Sequence, residues 1–105
     1  MTILMDYLAD RIGQYPFYLT GDFNCYVDSK AYVTAAERLQ DSHKTAWTDL
    51  STVQNTFHSY TEEGKSEIDF VFHNNHATPI RYEIVSKSYD GFVSDHYGVF
   101  VEFVN

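Results

Sequence analysis

Gly21-Asp22-Phe23-Asn24 closes a short apolar run that begins at Phe17. Residues two apart in an extended chain project from one face. Asp22 and Asn24 therefore present a carboxylate and an amide side by side, a pair suited to holding a water, a metal ion or a phosphate oxygen. Two further acidic points follow. Asp69 lies within Ile68-Asp69-Phe70-Val71-Phe72, where alternation sends Ile68, Phe70 and Phe72 to one face and leaves Asp69 with Val71 on the other. Ser94-Asp95-His96 stands just before another apolar run. An Asp-x-Asn after a strand, or an Asp-His before one, is also ordinary turn and cap chemistry, so neither makes a site alone. Asp69 differs, because a buried carboxylate without a partner is strongly unfavourable, and a histidine is the natural partner. Strand ends distant in sequence converge in space, so the three points can form one pocket. Magnesium, which needs only one or two carboxylates beside its waters, would be served by such a set.

The elements that must carry these residues are legible as a mixed α/β pattern. Thr2 caps a first helix in which Ile3, Leu4, Tyr7, Leu8 and Ile12 form a core stripe and Gly13 marks the stop. After the connector Gln14-Tyr15-Pro16, the run Phe17-Tyr18-Leu19-Thr20 reads as a short buried strand. Asp28 or Ser29 starts a second helix with Tyr32, Ala35, Ala36 and Leu39 on one face. Residues 41–50 read as a loop or short helical turn, with Trp47 expected to plug the core. Residues 56–60 and 67–73, joined by a polar turn at Glu62-Glu63-Gly64-Lys65, read as a hairpin. Strands over 80–86 and 97–104 complete the chain.

At 105 residues this is one small domain's worth of chain, short for a complete two-layer enzyme. Nine Tyr and eight Phe exclude a disordered segment. Fifteen acids against seven bases repel a polyanion, which disfavours long nucleic acid, although a divalent cation held by some of those acids would reverse the local sign. The single Cys25 excludes an intrachain disulfide and reads as a small, partly buried residue. No apolar stretch approaches the ~18 residues of a membrane span, and the N-terminus lacks a signal peptide's basic region. The cytoplasm is accordingly expected over secretion.

Taken in order, Gly-Asp-Phe-Asn, Ile-Asp-Phe-Val-Phe and Ser-Asp-His-Tyr resemble the C-terminal half of the endonuclease/exonuclease/phosphatase superfamily. Leu39-Gln40-Asp41 and Thr56-Phe57-His58 also resemble its pattern. The resemblance covers nearly the whole chain. It implies an α/β (α+β) half of a DNase I-like four-layer sandwich, mostly antiparallel with two helices on one face. It also implies a Mg2+-dependent (or Mn2+-dependent) phosphoesterase that acts on phosphodiesters or phosphomonoesters. By the same resemblance Asp22 matches the acid that activates the attacking water, and Asn24 the neighbour that holds this water or a phosphate oxygen. Asp95 matches a metal-side carboxylate, shared with Asp22 and Asn24, and His96 the phosphate-contacting histidine. Asp69 then matches the acid that orients His96, which would raise the imidazole's pKa. Two candidates remain for the group that takes the water's proton, Asp22 and a histidine.

Residues 1–105 thus read as one partial domain. The family's early Asn, its magnesium-binding Glu and the His or Tyr between them have no counterpart in these residues. The half alone is expected to be inactive and to expose the sheet face that its missing N-terminal half, or a homodimer mate, would cover. Truncation is the expected origin. Glu67 stands where the family often has a basic residue, which removes one phosphate contact, and Thr56-Phe57-His58-Ser59-Tyr60 lacks the Trp-rich character of the abasic-site branch. The rival expectation is a non-catalytic assembly or interaction module that keeps the fold and a vestigial site.

Overall fold

The structure, a computed structural model, describes residues 2–23, 29–60, 66–87 and 94–104. The side chain of Thr2, together with Asn24, Cys25, Asp28 and the Glu62-Glu63-Gly64-Lys65 turn, lies outside the described residues.

Three helices and two small sheets make up the described residues. In order they are α1 (Thr2–Ile12), β1 (Tyr18–Asp22), α2 (Lys30–Ala36), β2 (Gln40–Asp41), α3 (Ser42–Thr45), β3 (Thr48–Asp49), β4 (Asp69–His73), β5 (Thr78–Val85) and β6 (Gly98–Val104). One sheet has the order β1-β4-β2 and the other β3-β5-β6. All pairs are antiparallel except β3 with β5.

The period of two in β4 decides what each side of its sheet does. Phe70 and Phe72 turn inward and join Met5 and Ile12 of α1, Tyr32 and Ala35 of α2, and Leu39 in the buried core. Phe23 stacks on Phe72 and meets Phe70 edge-on, while Leu8, Phe17 and Leu19 fill the margin. Both α1 and α2 therefore cover one face. Asp69 and Val71 point to the other face, in register with Asp22 and Thr20 of β1. There β6 supplies Val99, Val101 and Phe103 as the opposite wall of an apolar groove. Phe103 closes one end of this groove against Tyr18 and His73. The Asp22 and Asp69 end stays open.

Ser29 caps α2 by accepting the Tyr32 N–H. Asp41 caps α3 through the His43 N–H, and its second oxygen accepts the buried Tyr32 hydroxyl at 2.8 Å. One carboxylate thereby ties α2 to the β2–α3 corner.

Four expectations are corrected. The core stripe of α1 is Met5, Leu8 and Ile12, whereas Ile3, Leu4 and Tyr7 are exposed. A short amphipathic helix offers more than one apolar spacing, and the packing against α2 selects the one that is buried. On α2, Ala36 is exposed and Tyr32, Ala35 and Leu39 are buried. Trp47 is 74% exposed, because residues 46–50 run along the edge of β5, where the Trp47 N–H bonds Pro79 O. The expected hairpin over 56–60 and 67–73 shrinks to a single bridge between Phe57 and Ser66, and β4 pairs with β1 and β2 instead. Ser59 and Tyr60 adopt φ of 53° and 63°, a left-handed turn that ends any extended run at His58.

These burial differences set a stability contrast. Phe72→Ala, emptying a position of 0% exposure, is expected to cost about 3–5 kcal/mol. Trp47→Ala should change stability by no more than about 0.5 kcal/mol. Denaturant midpoints of the two variants check this, and a Trp47→Ala loss matching that of Phe72→Ala would contradict the exposed placement.

Candidate active site

The open end of the groove gathers Asp22, Asp69, Asp95 and His96. Asp22 ends β1 and Asp69 begins β4, so their direct pairing in register brings two carboxylates to one edge. Asp95 and His96 arrive from the segment before β6. This segment is held by main-chain bonds: the His58 and Ser59 N–H groups donate to Asp95 O, and the Tyr97 N–H donates to Thr56 O at 2.7 Å. The ring of Phe57 meets His96 edge-on with centroids 5.2 Å apart. A recess of about 230 Å³ lies beside the cluster, lined by residues that include Asp22, Asp69, Tyr97 and Val99. Asn24 lies outside the described residues.

His96 organises the charges. Its Nδ1 donates to Asp69 Oδ2 at 2.7 Å, a distance typical of a charge-assisted bond. Its Nε2 faces Asp22 Oδ2 at 3.6 Å and Asp95 Oδ1 at 3.8 Å, close enough for charge attraction but too far for direct hydrogen bonds. The Asp69 hydrogen bond is the main reason that the imidazole's pKa is raised above its ordinary 6.5. Desolvation opposes the shift, and the charges of Asp69, Asp22 and Asp95 reinforce it. Nε2 thus lies on the side of the ring that faces Asp22 and Asp95.

Ligand atoms of Asp22, Asp69 and His96 lie within 4.8 Å of one another, the spacing of a three-ligand metal group. The hydrogen bond argues against using all three. Asp69 Oδ2 and His96 Nδ1 are committed to each other, and the Asp69 bond and surrounding carboxylates favour the protonated imidazole, which has no lone pair to offer a cation. The donors left are the carboxylates of Asp22 and Asp95. Two hard oxygen ligands suit Mg2+ or Mn2+ completed by water better than they suit a soft metal.

A second histidine–carboxylate unit, not anticipated from the sequence, joins α3, β3 and β5 to the segment before β4. His43 Nδ1 bonds Glu67 Oε2 at 2.7 Å and its Nε2 bonds Asp49 Oδ2 at 3.0 Å, while the ring stacks on Tyr82 at 4.2 Å. The bond to Glu67 is the first cause of a pKa raised above 6.5, against the effect of burial. Burial also works against Asp49's charge, yet bonds from Ser51 and the His43 charge keep its carboxyl below the ordinary value. Glu67, two residues before Asp69, is therefore paired with His43. Spacing alone carried no signal for this, because His43 and Glu67 are 24 residues apart.

A family model described as "Endonuclease/Exonuclease/phosphatase family" matches residues 3–96. Among solved structures, a functionally unknown conserved protein from Enterococcus faecalis V583 is similar at 28% identity and a TM-score of 0.86, covering 99% of this chain and 42% of its own. An endonuclease/exonuclease/phosphatase from Bacteroides vulgatus is 27% identical with a TM-score of 0.85, covering 97% of this chain and 41% of its own. A mannosyl-6-phosphatase from Bacteroides thetaiotaomicron VPI-5482, at 24% identity and a TM-score of 0.84, shares the fold over 99% of this chain and 44% of its own. The chain spans less than half the length of these structures. No curated protein gives a significant match.

Both raised histidines make stability depend on pH in a defined direction. A group whose folded pKa exceeds its unfolded value stabilises fully below the unfolded pKa, and that stability is lost as pH rises through the folded pKa. Unfolding free energy should therefore decline as pH climbs above 6.5 through the folded values of His96 and His43. Asp69→Asn should remove the His96 part of the slope and Glu67→Gln the His43 part, each returning its histidine toward 6.5 in an NMR titration. A His96 that titrates at 6.5 in the parent chain would contradict the pairing.

Proposed function

The chain belongs to the endonuclease/exonuclease/phosphatase family and forms the C-terminal half of its DNase I-like fold, and on that premise we propose that it is part of a Mg2+-dependent phosphoesterase. The observation that carries the reading is the line Asp69–His96–Asp22, with a 2.7 Å bond fixing the imidazole and its free edge turned to a carboxylate-lined opening. Phosphoester hydrolysis requires positioning and charge neutralisation more than covalent help. His96 would donate from Nε2 to a phosphate oxygen, held in orientation and kept charged by Asp69. Asp22 would accept the proton of the attacking water, and Asn24, its neighbour in sequence, would orient that water or a phosphate oxygen. Asp95 and Asp22 would hold the magnesium, with Asn24 as a further oxygen ligand. The cation supplies charge neutralisation at the phosphate when bound.

The substrate is a phosphodiester or phosphomonoester of small size, in keeping with the formal charge of -8. A mannosyl-6-phosphatase among the structures of like fold is consistent with the small phosphomonoester class. The longer relatives support a further reading, that a second half covers the Tyr18, Val71, Val101 and Phe103 groove and completes the site. Alone, this half is proposed to be inactive or very slow.

Mn2+ should broaden the NMR signals around Asp22, Asp95 and His96, and Asp22→Ala should abolish this. Where hydrolysis of bis-p-nitrophenyl phosphate is measurable, His96→Ala should lower it by at least about 100-fold. Activity that survives both Asp22→Ala and His96→Ala would sink the site assignment.

A further inference from the structure

Thr56 touches both segments that meet at the Asp69–His96 pair, and it does so with different atoms. Its side chain is fully buried, at 0% exposure. Its Oγ1 accepts the N–H of Ile68 at 3.0 Å and that of Asp69 at 3.1 Å. Its carbonyl accepts the Tyr97 N–H at 2.7 Å, next to His96, and its own N–H donates to Ser66 O at 3.0 Å.

The strand pattern explains why a hydroxyl is needed there. On the side of β4 away from β1, β2 reaches only Phe72 and His73. No described strand therefore flanks Asp69 on that side. Two successive N–H groups converge instead on one hydroxyl oxygen, which has two lone pairs to receive them. Without it, both donors would be buried and unmet, at a cost to each.

We propose that Thr56 is a positioning residue for the Asp69–His96 pair. Its hydroxyl fixes the main chain of the acid, and its carbonyl fixes the segment that carries the histidine. The proposal deepens the phosphoesterase reading, on which the importance of that pair rests. Thr56 touches neither substrate nor metal in that scheme and acts only through Asp69 and His96. Threonine suits the task because its branched Cβ restricts χ1 and so keeps the oxygen aimed. Val in its place would keep the shape and lose both acceptances.

The test is hydrogen exchange and NMR on the 105-residue chain with T56V and T56S. In T56V the Ile68 and Asp69 amides should exchange about tenfold faster, and the His96 Nδ1–H resonance should be lost to exchange with water. The Tyr97 amide, bonded to the Thr56 carbonyl, should stay protected, which separates the hydroxyl's effect from general loosening. T56S should restore all signals; where T56V does not fold, T56A takes its place. A persistent His96 Nδ1–H in the hydroxyl-less variant overturns the proposal, as does its loss in a folded T56S chain. None of these signals needs metal or turnover. Loss of the His96 Nδ1–H signal in T56V with hydrolysis, where measurable, unchanged would count against the phosphoesterase reading and leave the positioning role standing.

Discussion

A carboxylate placed inside an apolar strand is the constraint from which the site follows. Asp69 occupies the first position of β4, beside Phe70 and Phe72 that hold the core, so it cannot be moved without moving the core. Its half-buried carboxylate is satisfied by a hydrogen bond from His96 at 2.7 Å. With the main-chain bonds from His58, Ser59 and Tyr97, that contact holds the segment before β6 and the Asp95 it carries. It also fixes which edge of the imidazole is free. The same bond holds the imidazole in one orientation and favours its charged form.

The two faces of the β1-β4-β2 sheet divide the labour. The inner face is closed by α1 and α2 through aromatic contacts among Tyr32, Phe23, Phe70 and Phe72. The outer face shades from apolar at Phe103 and Val101 to charged at Asp22 and Asp69, with Thr20, Val71 and Val99 lining both the groove and the recess beside the site. Whatever covers the groove must therefore also shape the wall of the site. A chain that spans less than half of its structural relatives presents this as a continuous surface.

Much of this was legible where a local rule and the tertiary demand agreed. The period of two around Asp69 marked the core residues and the face that carries the acid, which is half-buried rather than buried, and Ser29 announced the start of α2 by its chemistry. The proximity of Asp22, Asp69 and His96 followed from family pattern, not from local rules, since they are separated by 47 and 27 positions in the chain. Failures came where local signals were degenerate. Ile3, Leu4 and Tyr7 satisfy a helical spacing as well as Met5, Leu8 and Ile12 do, and only the position of α2 decides between them. Large aromatic character suggested burial for Trp47, but a short edge strand carries it into solvent. Thr56-Phe57-His58 has strand propensity, yet the left-handed Ser59 and Tyr60 convert it from a hairpin arm into a clamp across the site.

The departure at Glu67 shows how such a site tolerates a reversed charge nearby. An acid two residues before Asp69 would add a like charge to a cluster already holding Asp22, Asp69 and Asp95. His43 removes that load by binding Glu67 on one ring nitrogen and Asp49 on the other, with Tyr82 stacked beneath. Alternation along the chain would send Glu67 and Asp69 in the same general direction, but Ile68 and Asp69 both donate their N–H groups to Thr56 Oγ1, so the ladder is irregular there. Each acid can then meet its own histidine. Glu67 is paired with His43 and Asp69 with His96, two separate histidine–carboxylate contacts on either side of Ile68.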